Sequence, residues 1–369
     1  MPSLPRFQPP VQRRPSHPMT AQPTLPPDLL TEYALHLAAK EALVRALLAA
    51  HGLGDRYRGM APCPVERGYR TQASSRAEHG AAHTLAGVDP RVGRVALADS
   101  LWVLPEPARP TALRIHELLV RERMLPPVAG FDLRLEHGSL RAHLTLSIPR
   151  DCAVPVDALC ARLMDEVPEL LGVSAPGAGV ELGDAYLRNV LLGKPVLAHC
   201  RAFFQTNAHV TPLLCEEVQR SIDSPASIVD LYCGVGMHSL LAARPETVAR
   251  GADNNTWAIE SAARNVALHG LEDAEYHRVS AERYCAEQDF ASPAVVFVNP
   301  SRFGCEPGIA EAVARWRPES VCLVSCSIDS HVRDTLAFIA AGYQPEAATC
   351  FDMFPFSDYL ESVTHFSPA

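Results

Sequence analysis

The sequence predicts an α/β protein with a doubly wound, mostly parallel sheet in its C-terminal half and a smaller α+β unit before it. Two observations carry this reading. After about Leu191, strand-like and helix-like stretches alternate, and repeated βα units build a parallel sheet with helices on both faces. From Ala61 to about Val190, short segments such as FDLRLEHG and LRAHLTLSIP alternate apolar and polar residues, as antiparallel strands with one wet face do.

Taken in order, residues 1–27 hold nine prolines with Arg6, Arg13 and Arg14, so a disordered tail is expected, with Met19 an alternative start. DLLTEYALHLAAKEALVRALLAAHGLG then has apolar residues at helical spacing, with Gly52 and Gly54 as stop signals. This helix and the α+β segment make one expected unit, 28–190, and residues 191–369 make the next. The second unit contains seven strand-like stretches: SIVDL, TVARGAD, AEYHRVS, AVVFVNP, VCLVSC, ATCFDMF and LESVTHF. Helices are expected from His238, over Thr256 to His269, from about Pro307 to Trp316, and from about Asp329.

Composition excludes several classes. No apolar run approaches the ~20 residues of a membrane span, and the N-terminus lacks the apolar core of a signal peptide, so a cytoplasmic protein is expected. Eleven cysteines without a CxxC pair support neither a disulfide framework nor a zinc site. The net charge of −9 is unevenly divided. Residues 1–150 carry 19 Arg/Lys against 13 Asp/Glu, and residues 151–369 carry 14 against 29. A basic front half suits an RNA-facing module and an acidic back half suits a cationic small molecule; uneven solvated surface explains the charge equally well.

In open α/β sheets ligands bind beyond the carboxyl ends of the strands. Cys233, Asn299 and Cys326 all fall there. DLYCGVG, Asp230 to Gly236, follows an apolar strand, and Gly234 and Gly236 let the backbone turn tightly and approach a ligand. Position 239 is Ser, so the GxGxxG pyrophosphate fingerprint is absent. Asp253 ends the next strand, where an acid can accept bonds from both ribose hydroxyls of a nucleoside; capping the helix that starts near Thr256 is the alternative. A glycine turn and a second-strand acid without a phosphate motif favour S-adenosylmethionine over NAD. Asn299, in VNPSR, can bond an amino group, but no aromatic follows it directly to stack a base. Cys326, in VCLVSCSIDS, ends a buried strand; a cysteine there is commonly a small core hydrophobe.

RAFFQTN at 201–207, DLYCGVG at 230–236, VNPSRFG at 298–304, VSCS at 324–327 and FDMFPFSDYLES at 351–362 occur in one order along the βα units. In these motifs the C-terminal half resembles the RNA uracil-C5 methyltransferase family, strongly from Arg201 to Phe366 and weakly before. The resemblance implies a Rossmann-like class I methyltransferase domain with a seven-strand sheet, preceded by an RNA-recognition region. It implies that Gln205, Tyr232, Asp253 and Asn299 contact S-adenosylmethionine, alongside the turn glycines Gly234 and Gly236. It further implies that Cys326 is the nucleophile and Glu361 the general base. The VNP and FFQTN forms are most similar to the ribosomal RNA branch, while the missing iron–sulfur cysteines are more like the transfer RNA branch; no cluster and no metal are expected.

Carbon 5 of uracil is a poor nucleophile. A thiolate adding to carbon 6 places electron density on carbon 5, and a base must later remove the carbon-5 proton so that the thiolate can leave. Arg302, or the N-terminus of the helix that follows Cys326, is the expected source of a lowered thiol pKa. The expected partner is a structured RNA, ribosomal or transfer, with a flipped uridine, met by a monomer at no membrane. Arg56, Arg58, Arg67, Arg70 and Arg76, near Tyr57 and Tyr69, are the candidate RNA grip. Three positions depart from the family pattern: Ser327 follows the cysteine, Tyr359 stands two residues before the base, and Met237 follows the glycine turn. Two rival readings are an amino-group methyltransferase acting through Asn299 and a catalytically silent RNA-binding protein with a retained cofactor pocket.

Overall fold

The computed structural model describes residues 32–77, 85–124, 127–150, 154–220, 222 and 224–369; the proline-rich tail expected over 1–27 lies outside them. Sequence patterning translates directly into elements. The apolar, β-branched runs VVFV and SVCLVS become the strands Val295–Val298 and Ser320–Ser325, buried along almost their whole length because helices cover both faces. The helix expected over Thr256 to His269 has those bounds, opened by the Asn255 side chain accepting from the Ala258 amide and closed by left-handed Gly270.

In the large sheet the strand order is Tyr57–Ala61, Ala348–Phe351, Glu361–Pro368, Ser320–Ser325, Val295–Val298, Ser227–Leu231, Val248–Asp253 and Ala274–Arg278, with Tyr343–Pro345 beside Glu361–Pro368. The seven expected strands are all present. Two more join them, Tyr57–Ala61 parallel to Ala348–Phe351 and Tyr343–Pro345 antiparallel to the last strand, giving nine. The last strand runs antiparallel to both of its principal neighbours, Ser320–Ser325 and Ala348–Phe351.

A second, seven-stranded sheet lies in the front half, running from Gly93–Ala96 through Gly130–Leu135 to Val180–Gly183. It is antiparallel except where Ala142–Ser147 pairs with Leu170–Ala175. Helices Arg109–Arg121 and Val156–Glu166 share a core with it around Phe131, Leu133, Leu144, Ile115 and Leu163.

The division expected at 190/191 falls inside a hairpin, Tyr186–Leu191 with Lys194–His199, in which Val190 pairs with Pro195. That hairpin docks on the helix Thr256–His269, where Asn265 and Ser261 side chains accept from the Leu197 and His199 amides at 2.7 and 3.0 Å. At the other end of the 28–190 span, helix Glu32–Ala50 packs through Val44 and Leu48 onto Ile328, Val332 and Cys350 of the large-sheet unit. Local alternation could not place these two pieces, because the hairpin and helix bury their apolar faces against residues far along the chain.

Phe297 is fully buried at the centre of the large sheet. Replacing it with alanine should cost about 3–5 kcal/mol, read as a lower midpoint in chemical denaturation with an unchanged slope.

Candidate active site

The site is built at the carboxyl edge of the parallel strands. Leu231 pairs with Ala252 and with Val298, and Val298 pairs with Leu323, so the residues that follow these positions line one edge: Tyr232 and the glycine turn, Asp253, Asn299 and Cys326. Glu361 reaches the same edge from the opposite direction. Ser325 pairs with Ser362, which sets Cys326, the first residue after one strand, against Glu361, the first residue of its antiparallel neighbour.

The turn after the first strand is tight. Tyr232, Gly234 and Gly236 all have left-handed φ, +59°, +54° and +78°. A Cβ on Gly234 would meet nothing within 4 Å, so the backbone there faces open space that a ligand can enter. Asp253 does not cap the helix behind it; Asn255 does. Its carboxylate instead accepts from the Gly234 amide at 3.0 Å and the Asn255 amide at 2.8 Å, tying the glycine turn to the second strand. One lone pair on each oxygen remains for ribose hydroxyls, which fits the adenosine portion of S-adenosylmethionine.

Beneath the turn, Asp230 is fully buried; burial pushes its pKa up to about 7, although the Ser239 hydroxyl donates to it at 2.7 Å. Tyr232 donates to Glu306, and burial followed by that bond raises its phenol above the ordinary range. The Asn299 amide donates to His238 Nε2 at 3.4 Å. Burial lowers His238 to about 4, which leaves it neutral and able to accept. His238 and Glu306 had escaped the sequence reading: a helix His and a loop Glu have no periodic or motif signal, and only the fold brings them to Asn299 and Tyr232.

Gln205, expected at the cofactor, lies beside Glu361. Its side-chain amide hydrogen-bonds the Glu361 carboxyl. The remaining oxygens, Gln205 Oε1 and Glu361 Oε2, are buried without a partner. Two orphaned acceptors in one buried spot mark where a ligand with donors belongs.

The expected lowering of the Cys326 thiol is corrected. Burial first and the neighbouring Glu361 second push it up to about 11, and the Arg302 guanidinium offsets only part of this. Burial likewise pushes Glu361 up to about 8 against the Gln205 bond. At neutral pH the pair is therefore mainly thiol and carboxylic acid.

The members of the candidate RNA grip have separate surroundings. Tyr69 is buried and donates to the Pro355 carbonyl at 3.2 Å, and Arg70 is half-buried beside it. Arg58 pairs with Glu217 at 3.1 Å, Arg76 with Asp132 at 3.5 Å, and Arg56 donates to the Pro345 carbonyl at 2.9 Å. Spacing along the chain could not show that these arginines turn to different neighbours. Exposed aromatics stand instead beside the site: Phe203 (65% exposed), Phe303 (71%) and Tyr359 (55%), each within a few residues of Gln205, Asn299 or Glu361. Arg302 lies over the Phe303 ring at 5.0 Å. Among the described residues no group of His, Cys, Asp or Glu is placed to hold a metal ion, and no helix is long and apolar enough to cross a membrane.

This strand order and edge site define a class I methyltransferase fold carrying an additional smaller domain. The structure superposes on the tRNA (uracil-54, C5)-methyltransferase of Pyrococcus abyssi, solved with S-adenosyl-L-homocysteine, with a TM-score of 0.71 at 20% identity over 91% of this chain and 83% of that one. No family model matches the chain. It is 34% identical over 167 residues to an uncharacterized RNA methyltransferase of Bacillus cereus, 44% of this chain and 36% of that protein. It is 32% identical over 178 residues to the 23S rRNA (uracil(747)-C(5))-methyltransferase of Shewanella amazonensis, 47% of this chain and 46% of that protein. The matched segments thus span less than half the length of these two relatives. The chain's resemblance to the RNA uracil-C5 methyltransferases, drawn first from its motifs, holds in sequence and in fold.

Burial of Glu361 gives a stability signature. Its pKa of about 8 in the folded state exceeds the ~4.3 of an exposed glutamate. The stability this contributes is present below pH ~4.3 and is lost as pH rises through about 8. Glu361→Gln cannot ionise, so it should melt a few degrees above the natural protein at pH 9, with the gap closing towards pH 5, in calorimetric scans across that range.

Proposed function

We propose that this chain methylates carbon 5 of a uridine in RNA with S-adenosylmethionine, through a covalent bond between Cys326 and carbon 6. The observation that carries the reading is the antiparallel register that sets Cys326 against Glu361, with Gln205 bonded to the same carboxyl. Gly234, Gly236, Asp253, Tyr232 and Asn299 would hold the cofactor. When bound, it supplies a methyl electrophile to carbon 5.

The protein's residues account for the remaining steps. The Cys326 thiol gives up its proton to solvent and the sulfur adds to carbon 6, turning the ring into an enolate with electron density at carbon 5. After methylation, the Glu361 carboxylate takes the carbon-5 proton. The C–H electrons re-form the 5,6 double bond, and the carbon–sulfur pair returns to Cys326. Gln205 Oε1, an orphaned acceptor, suits the N3–H of uracil; cytosine has no hydrogen there. The amino-group reading through Asn299 leaves the Cys326–Glu361 pairing without a purpose.

RNA is the substrate class that the relatives' names support, and the motif forms favour ribosomal over transfer RNA. Phe203, Phe303 and Tyr359 offer exposed rings for stacking unpaired bases around a flipped uridine, the way single-stranded loops are held. The silent-binder reading keeps one observation in its favour, the neutral thiol–acid pair in the free protein.

With RNA containing 5-fluorouridine the carbon-5 substituent cannot leave as a proton. Incubation with cofactor should therefore give a denaturation-resistant protein–RNA adduct, absent in Cys326→Ala. Total cellular RNA so substituted should show it on a denaturing gel; no adduct, with cofactor binding confirmed by calorimetry, selects the silent binder. A second expectation follows from the two raised pKa values. The free protein must lose protons from Cys326 and Glu361, so kcat/KM for natural RNA should climb at least tenfold per unit between about pH 6 and 7.5, and a flat profile would count against the pairing.

A further inference from the structure

Helix Glu32–Ala50 carries a lysine that is buried, Lys40, and its amine makes three bonds into one loop. It donates to Asp352 Oδ1 at 2.6 Å, to the Tyr359 carbonyl at 2.9 Å and to the Phe354 carbonyl at 3.3 Å. The second Asp352 oxygen accepts from the hydroxyl of Tyr33, two turns earlier on the same helix face, at 2.7 Å, and that hydroxyl accepts in turn from the Cys63 amide at 2.8 Å. Residues 352–360 form the connection between the strands Ala348–Phe351 and Glu361–Pro368. The same segment is held from the other side: the Asn207 amide donates to the Met353 carbonyl at 2.9 Å, two residues beyond Gln205.

A buried ammonium is costly, and burial pulls its pKa down while Asp352 pulls it back. Removing both charges in favour of apolar packing would often be neutral or stabilising. The carbonyl bonds to Phe354 and Tyr359 are something that apolar packing cannot supply: they fix the backbone immediately before Glu361. Loop 352–360 reaches the Glu361 carboxyl through a single intervening residue, Leu360, which is itself buried. Small displacements of a catalytic group can cost on the order of a hundredfold in rate.

We propose that Lys40, seated by Tyr33 and Asp352, is a positioning residue for Glu361, so that the N-terminal helix is part of the proton-removal machinery. This rests on the methyltransferase reading above. Its specific consequence is a defect confined to the last step. Cys326 lies on a different strand, so sulfur addition proceeds, while removal of the carbon-5 proton slows and the methylated adduct waits.

The test compares the natural protein with Lys40→Met and with Lys40→Met/Asp352→Asn, which leaves no unpaired buried charge and keeps a partner for Tyr33. Thermal scans first identify a temperature well below every midpoint. There, both variants should turn over ordinary uridine RNA with kcat reduced roughly ten- to hundred-fold, KM for RNA and cofactor within about twofold, and a denaturation-resistant adduct accumulating on ordinary RNA. A double variant that is folded and turns over like the natural protein would show that the lysine serves stability alone and would overturn the proposal. An equal loss of adduct formation on 5-fluorouridine RNA would overturn it too, since the defect would then precede proton removal. If the natural protein itself forms no adduct on 5-fluorouridine RNA, the methyltransferase reading fails and the positioning role falls with it.

Discussion

The antiparallel placement of the strand Glu361–Pro368 between Ser320–Ser325 and Ala348–Phe351 is the constraint on which the site depends. In a wholly parallel sheet the edge that receives ligands is lined by strand ends, each followed by a loop. An inserted antiparallel strand presents its first residue there instead. Glu361 is that residue, and the Ser325–Ser362 pair fixes it against Cys326. Side chains alternate with a period of two along a strand, so a slip of one residue would turn Glu361 to the other face and away from the cysteine. The strand is buried over six of its eight residues, which pins the register strongly.

The same burial sets the electrostatics. An acid and a thiol held together out of water resist ionisation, and the thiol also carries the cost of the acid's charge. Arg302 at the rim offsets part of this for the thiol, and Gln205 part of it for the acid. A site poised neutral in the free protein avoids holding an uncompensated buried anion. Gln205 Oε1 and Glu361 Oε2 are left there without a partner. In the proposed mechanism, the raised acid suits a group that takes a proton from carbon at near-neutral pH.

The front of the chain serves this edge as well as forming its own sheet. Helix Glu32–Ala50 and strand Tyr57–Ala61 are built onto the large sheet, and the hairpin Tyr186–His199 braces the helix that follows Asp253. The basic charge of residues 1–150, which first suggested an RNA grip, is largely engaged by Glu217, Asp132, Glu346 and backbone carbonyls at the positions singled out. Aromatic rings left exposed beside the site are the better-placed surface for a nucleic acid base.

The sequence by itself determined seven of the large sheet's nine strands, the helix Thr256–His269 to the residue, the glycine turn, and the edge positions of Asp253, Asn299 and Cys326. Each of these is written in local periodicity, caps or turn glycines, because the forces involved act within a few residues. Tertiary structure alone decided that Tyr57–Ala61 and Tyr343–Pro345 extend the sheet to nine strands, that Gln205 bonds Glu361, that His238 meets Asn299, and that Lys40 reaches across more than three hundred residues to Asp352. It also decided the sign of the thiol's pKa shift, since burial and the approach of Glu361 outweigh the charge of Arg302. These are properties of packing, and packing pairs residues by position in space rather than by spacing along the chain.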